Sequence, residues 1–137
     1  MPPVHPPIQI TRSCPVPSGL KHMQVWPLLA GHWWTNKHGL GSRTINEMVL
    51  LHCAAGGGWL RVQEHRYEIK AGDLFYCPLH ADHGYGCDPA TGWEIWWVHF
   101  QGGRAEELCR SAGLSAAGAV LRPGDPNRII TRFNSLL

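Results

Sequence analysis

Nine histidines and five cysteines in 137 residues are the first candidates for chemistry, and metal binding is the chemistry they suggest. A catalytic or structural metal takes three or four protein ligands. His52 and Cys53 sit side by side in an apolar run, but no Asp or Glu falls between Cys53 and Gln63. Glu47 precedes His52 by five residues, which places it on the opposite face of a strand by parity. His83 and His99 fall on later segments and are too few alone. The chain therefore reads as carrying no metal and no other cofactor. His5, His22, His32, His38, His65 and His80 lie near turns or in loops and read as solvated. Cys14, Cys53, Cys77, Cys87 and Cys109 are odd in number and contain no Cys-x-x-Cys, which argues against a disulfide framework and a zinc knuckle. No Gly-x-Ser-x-Gly is present, no cysteine has an obvious charged activator, and the acids are scattered. Catalysis has no visible machinery, and the chain reads as a non-enzyme.

Binding has better candidates. His83 and Tyr85 are separated by Gly84, so in an extended segment both point to one face. Trp93, Ile95, Trp97 and His99 share a face of the next apolar run, and Glu94, Trp96, Val98 and Phe100 share the other. Ligand pockets are mostly apolar, with a few polar groups that fix orientation, and these two faces offer that mixture. The same aromatics would serve equally as plain core. Gly56-Gly57-Gly58 invites a phosphate cradle, but the following residues 59–62 are strand-like where such a loop needs a helix.

The elements that position these residues are expected to be strands. Sixteen Gly and eleven Pro favour many turns and a mainly β body. Residues 1–19 hold six prolines, which excludes helix and central strand and leaves either a disordered leader or an arm. Residues 23–34 suit two short strands broken by Pro27 and Gly31, 36–42 a loop, 45–53 a buried strand, and 54–58 a glycine-rich turn. Residues 59–62 and 66–70 form a hairpin, Gly72-Asp73 is a turn that launches the strand 74–77, and Pro78 ends it. Strands follow at 83–85 and, past the turn 88–92, at 93–100. Residues 104–112 then read as a helix with Leu108 on its apolar side and Gly113 closing it, and residues 119–121 as a short strand. Asp125 caps a second helix with Pro126 at its first position, and Ile129, Ile130, Phe133, Leu136 and Leu137 mark its apolar face. The sequence stops inside that pattern, which reads as a fragment of a longer chain.

A Gly-Asp turn, an apolar strand, Pro, His with Tyr two residues on, then an aromatic strand ending Trp-Val-His-Phe resembles the second half of a cupin barrel. More narrowly, residues 49–101 resemble the N-terminal sensor domain of AraC-type transcription regulators. The resemblance implies a mainly β, cupin-like (jelly-roll, or double-stranded β-helix) barrel with C-terminal α-helices. It divides the chain into a Pro-rich arm at 1–22, a ligand-binding barrel at 23–101, and a helical segment at 102–137 leading to a missing helix-turn-helix domain. Positions matching His83, Tyr85 and Trp97 face the ligand in sugar-responsive members, with Ile95 and His99 on the same inward face. An arginine entering the early strand is another pocket position; Arg43 is the nearest match, and a plain surface charge is the other reading. Metal-dependent cupins use His-x-His plus Glu and a later His; His83 matches the later one, and the earlier cluster has no match.

The implied role is effector sensing, with a carbohydrate among the candidate effectors, and dimer formation in the full-length protein. DNA would be contacted only through the missing domain. The rivals are a stand-alone metal-dependent cupin enzyme (dioxygenase or isomerase) and a ligand-free interaction barrel. A net charge of +2 without a basic stripe argues against nucleic-acid binding by this chain itself. No apolar run reaches a membrane span and no secretory signal opens the chain, so a cytoplasmic location is expected.

Overall fold

The computed structural model describes residues 8–13 and 24–137. The sequence reading of the Pro-rich arm falls mostly outside the described residues, as do His5, His22 and Cys14. Within the arm, the proline-free window Ile8–Ser13 forms strand β1. It runs antiparallel along β2 (Trp26–Thr35), pairing Ile8 with Trp34 and Ser13 with Leu29. As an edge strand it accords with the exclusion of a central one.

Two sheets pack face to face through one shared strand. β4 (Met48–Val62) is fifteen residues long. Its first half pairs with β8 (Trp93–Gln101) and β6 (Leu74–Cys77), and its second half with β5 (His65–Lys70) and β7 (His83–Cys87). The larger sheet therefore runs β1-β2-β8-β4-β6-β9, where β9 is Val120–Leu121. The smaller is β3 (Gly39–Arg43), β7, the end of β4, and β5. This is the mainly β, cupin-like barrel expected from the sequence.

Three sequence expectations need correction. Residues 54–58 are not a turn; the glycines let β4 pass from one sheet to the other. Gly56 has φ 75°, and a Cβ there would strike the Gly92 carbonyl, so a bend this tight excludes a side chain. Residues 23–34 are not two strands but one, with Pro27 accommodated at a register shift against β8 and Gly31 retained inside the strand. Residues 36–42 are not all loop, because Gly39 and Leu40 pair with Gly86 and Tyr85 of β7. The Gly72-Asp73 turn forms as expected: Gly72 has φ 98°, and the buried Asp73 carboxylate accepts from the Lys70 amide at 2.8 Å and Arg122 Nε at 3.2 Å.

Strand parity divides the core in two. Val49, Leu51 and Cys53 of β4, Phe75 and Cys77 of β6, and Trp93, Ile95 and Trp97 of β8 face inward with Leu60, Val62, Ile69 and Tyr85 of the smaller sheet. Met48, Tyr76, Trp96, Val98 and Phe100 face outward, where two helices cover them. Helix α1 (Ala105–Ser111) buries Ala105 and Cys109. Leu108 stands away from that face, 51% exposed, contrary to its expected place. Helix α2 (Pro126–Asn134) starts at Asp125, whose carboxylate accepts the Arg128 amide at 3.2 Å. Its Phe133 is buried, with Ile129, Ile130, Leu136 and Leu137 packed partly against the same cluster. Among the described residues no helix is long and apolar enough to cross a membrane.

Candidate ligand site within the barrel

Arg43 ends β3 directly opposite His83 of β7. This register, and not a surface position, decides the side chain's environment. Arg43 Nε donates to His83 Nε2 at 3.3 Å, and its Nη2 donates to Tyr85 Oη at 3.4 Å. The guanidinium also lies 5.9 Å from the centre of the Tyr85 ring. His83 is fully buried and holds its other nitrogen, Nδ1, 3.1 Å from the Ala81 carbonyl. A carbonyl can only accept, so Nδ1 carries the proton and Nε2 is the acceptor for Arg43. Burial first, then the Arg43 charge, keeps the His83 pKa below its ordinary value; the imidazole is neutral.

β8 supplies the second wall. Ile95, Trp97 and His99 share one face, as parity predicts, and that face is the interior one, as the resemblance implied. Trp97 meets Trp33 edge-on at 5.5 Å and His99 edge-on at 5.4 Å. Its indole lies so close over Gly31 that a Cβ there would overlap the ring. Trp97 Nε1 is buried without a hydrogen-bond partner. His99 Nδ1 donates to Glu47 Oε1 at 2.7 Å. Burial lowers the His99 pKa, and it outweighs the opposing pull of Glu47, so the contact is a hydrogen bond from a neutral ring to a carboxylate. The Arg43 charge reaches His99 as well as His83, lowering both. Arg43, His83, Tyr85, Ile95, Trp97 and His99, singled out from the sequence, thus all face the barrel interior.

Three more residues belong to the same surroundings. Trp33 of β2 packs on Trp97 and on His38, and its Nε1 donates to Thr11 Oγ1 of β1 at 3.1 Å. His38 is not a solvated loop residue. It accepts from Trp93 Nε1 at 3.2 Å and packs edge-on against Tyr85 at 5.4 Å. Desolvation, then the Arg43 charge, lowers its pKa to about 4. Its location was hidden because residues 36–42 read as a loop. Glu47 was legible: the parity that sets it opposite His52 also puts it with the inward Val49 and Leu51.

His32, expected in solvent, lies on the outer face of the larger sheet. Its ring stacks on Trp96 at 3.6 Å, and its Nε2 donates to Glu94 at 2.8 Å. His52 is fully buried on that outer side, opposite Trp96 and Leu74 in register, and is not brought to His83 or His99. Among the described residues no three His, Cys, Asp or Glu side chains gather into a metal-holding set. The inner wall sets an aromatic surface beside a guanidinium, two imidazoles and a phenol.

A family model described as the AraC-like ligand binding domain matches residues 26–137. The MmsAB operon regulatory protein of Pseudomonas aeruginosa is 33% identical over 94 residues, which are 65% of this chain and 31% of that protein. The Msm operon regulatory protein of Streptococcus mutans is 29% identical over 72 residues, 52% of this chain and 26% of that protein. The matched stretches thus span less than a third of either regulator. The protein YhaK from Escherichia coli shares the fold at a TM-score of 0.58 and 11% identity, over 69% of this chain and 45% of that one. The family model runs from β2 through α2, across both sheets and every inward residue of the site, and this chain belongs to the AraC-like ligand-binding domain family.

Proposed function

We propose that the chain is the effector-sensing domain of a transcription regulator, and that it takes a small polar molecule with an apolar face into the barrel. The observation that carries this reading is the convergence of Arg43, His83, Tyr85 and His99 beside Trp97 on the inner walls. Trp97 provides a stacking surface and an indole N–H in need of an acceptor. Sugars and sugar acids combine an apolar ring face with a rim of acceptors and donors, and they fit that arrangement.

In this reading residues 1–22 are an arm, 23–101 the sensing barrel, and 102–137 a helical connection to a DNA-reading part. The relatives named for operon regulation support such a continuation. The same reading includes dimer formation in the full-length protein and regulation in the cytoplasm. Ligand acts by differential affinity for two states of the chain, shifting their populations. Nothing in the barrel favours the metal-dependent enzyme as a second reading.

The test is a thermal-shift screen of sugars, sugar acids and small aromatic acids, followed by calorimetric titration of each hit against Trp97→Ala and Trp96→Ala. The proposal requires a hit whose affinity falls with Trp97→Ala and persists with Trp96→Ala. Hits indifferent to Trp97 would remove the barrel site.

A further inference from the structure

Resting on the pocket reading above, we infer that the effector is a monocarboxylate, a hydroxy acid or sugar acid, whose carboxylate docks on Arg43. Arg43 is a half-buried cation with no anion in ion-pair contact. None of the ion pairs formed among the described residues includes it. Its two hydrogen bonds are long, at 3.3 and 3.4 Å, and both go to neutral groups, His83 Nε2 and Tyr85 Oη. A guanidinium has five N–H donors in a planar fork that matches a carboxylate. Holding such a charge out of water against neutral acceptors is costly, and an incoming anion relieves that cost.

The groups around Arg43 limit the charge that an anion can bring. His38, His83 and His99 are neutral, so the cluster holds one cation and the Glu47 carboxylate. Glu47 is engaged by His99 Nδ1 at 2.7 Å. Arg43 and Glu47 already cancel, so a bound carboxylate leaves one net negative charge, whereas a phosphate dianion leaves two beside Glu47. Tyr85 Oη accepts from Arg43, which leaves its hydroxyl proton to donate to the same ligand oxygen. His99 Nε2, with the proton on Nδ1, is an acceptor for a ligand hydroxyl, and the Trp97 ring beside it at 5.4 Å offers the apolar contact. Carboxylate, hydroxyl and apolar face are thus each matched by a separate group of the wall.

The experiment titrates matched probes into the 137-residue chain by calorimetry: galacturonate against galactose, glucuronate against glucose, lactate against lactamide, and benzoate against benzyl alcohol. Inorganic phosphate and glucose 6-phosphate form the third arm. The expected result is a carboxylate that binds at least about tenfold tighter than its neutral mate, with the preference lost in Arg43→Gln. Should Arg43→Gln fail to fold, Arg43→Lys retains the charge without the fork and is expected to narrow the carboxylate's advantage over its neutral mate. A neutral mate that binds as tightly, a preference that survives both substitutions, a phosphate that outcompetes every carboxylate, or a panel with no bound carboxylate overturns the inference. The pocket reading fails separately, when every bound probe is indifferent to Trp97→Ala.

Discussion

Trp97 is asked to be both wall and core, and its replacement separates the two roles. If it is chiefly a ligand surface, Trp97→Ala costs about 1–3 kcal/mol of binding and leaves a folded protein. A purely structural Trp97 would instead cost about 3–5 kcal/mol of stability without touching intrinsic affinity. The expected outcome is lost affinity with the fold kept, read by titration beside chemical unfolding. The histidines make a second prediction. His38 is held to about 4 against an ordinary 6.5, and its Nδ1 must stay unprotonated to accept from Trp93. His83 and His99 are lowered in the same direction. The unfolded chain therefore binds more protons than the folded one across that window, and stability is complete above 6.5 and declines as pH falls toward 4. Urea midpoints at pH 7.5 and 5 are expected to show the drop, and His38→Gln is expected to reduce it. A midpoint that holds or rises on acidification would contradict the assignment.

At the scale of elements, two glycines of the larger sheet decide geometry that no side chain could. Gly31 keeps β2 continuous and leaves room for the Trp97 indole, so Gly31→Ala must displace that ring. Overpacking of this kind is expected to cost about 1–3 kcal/mol, and to weaken any ligand that depends on Trp97. Thermal unfolding and titration of the single variant measure both, and a variant with wild-type stability and affinity would mean that the ring moves freely. Gly56 lets β4 serve two sheets through a positive φ and a close approach to the Gly92 carbonyl. β3 then closes the site from the other side, because its pairing to β7 is what aims Arg43 at His83 and Tyr85.

For the whole molecule, the two cores have different tasks. The inner one surrounds the proposed ligand site, and the outer one fastens the helices to the larger sheet. Phe133 is the most buried side chain of α2, and Phe133→Ala is expected to cost about 3–5 kcal/mol of stability while leaving ligand affinity unchanged in the folded fraction. An equal loss of affinity would show that the two cores are coupled. The net charge of +2 and the barrel surface also predict that this chain does not bind duplex DNA sequence-specifically. A salt-resistant, sequence-dependent gel shift with the 137-residue chain would contradict that.

Local rules were sufficient wherever one strand or helix decided the outcome. Parity put Trp93, Ile95, Trp97 and His99 on one face and Trp96 on the other, because side chains alternate on a strand, and the resemblance turned the first face inward. Asp125-Pro126 located the start of α2, because cap and first-turn chemistry are encoded in adjacent residues. The resemblance of residues 49–101 to AraC-type sensors is shared by the family match over residues 26–137. Pairing between distant segments was invisible. Gly39 is a poor strand former, and the Gly39-Leu40 pair becomes part of a strand only because β7 offers it partners, which in turn decided the place of Arg43 and His38. The glycines at 56–58 look like a turn until two sheets need one strand to pass between them. Which residues share a face was written in their order; which faces meet was decided by tertiary hydrogen bonds across tens of positions in the chain.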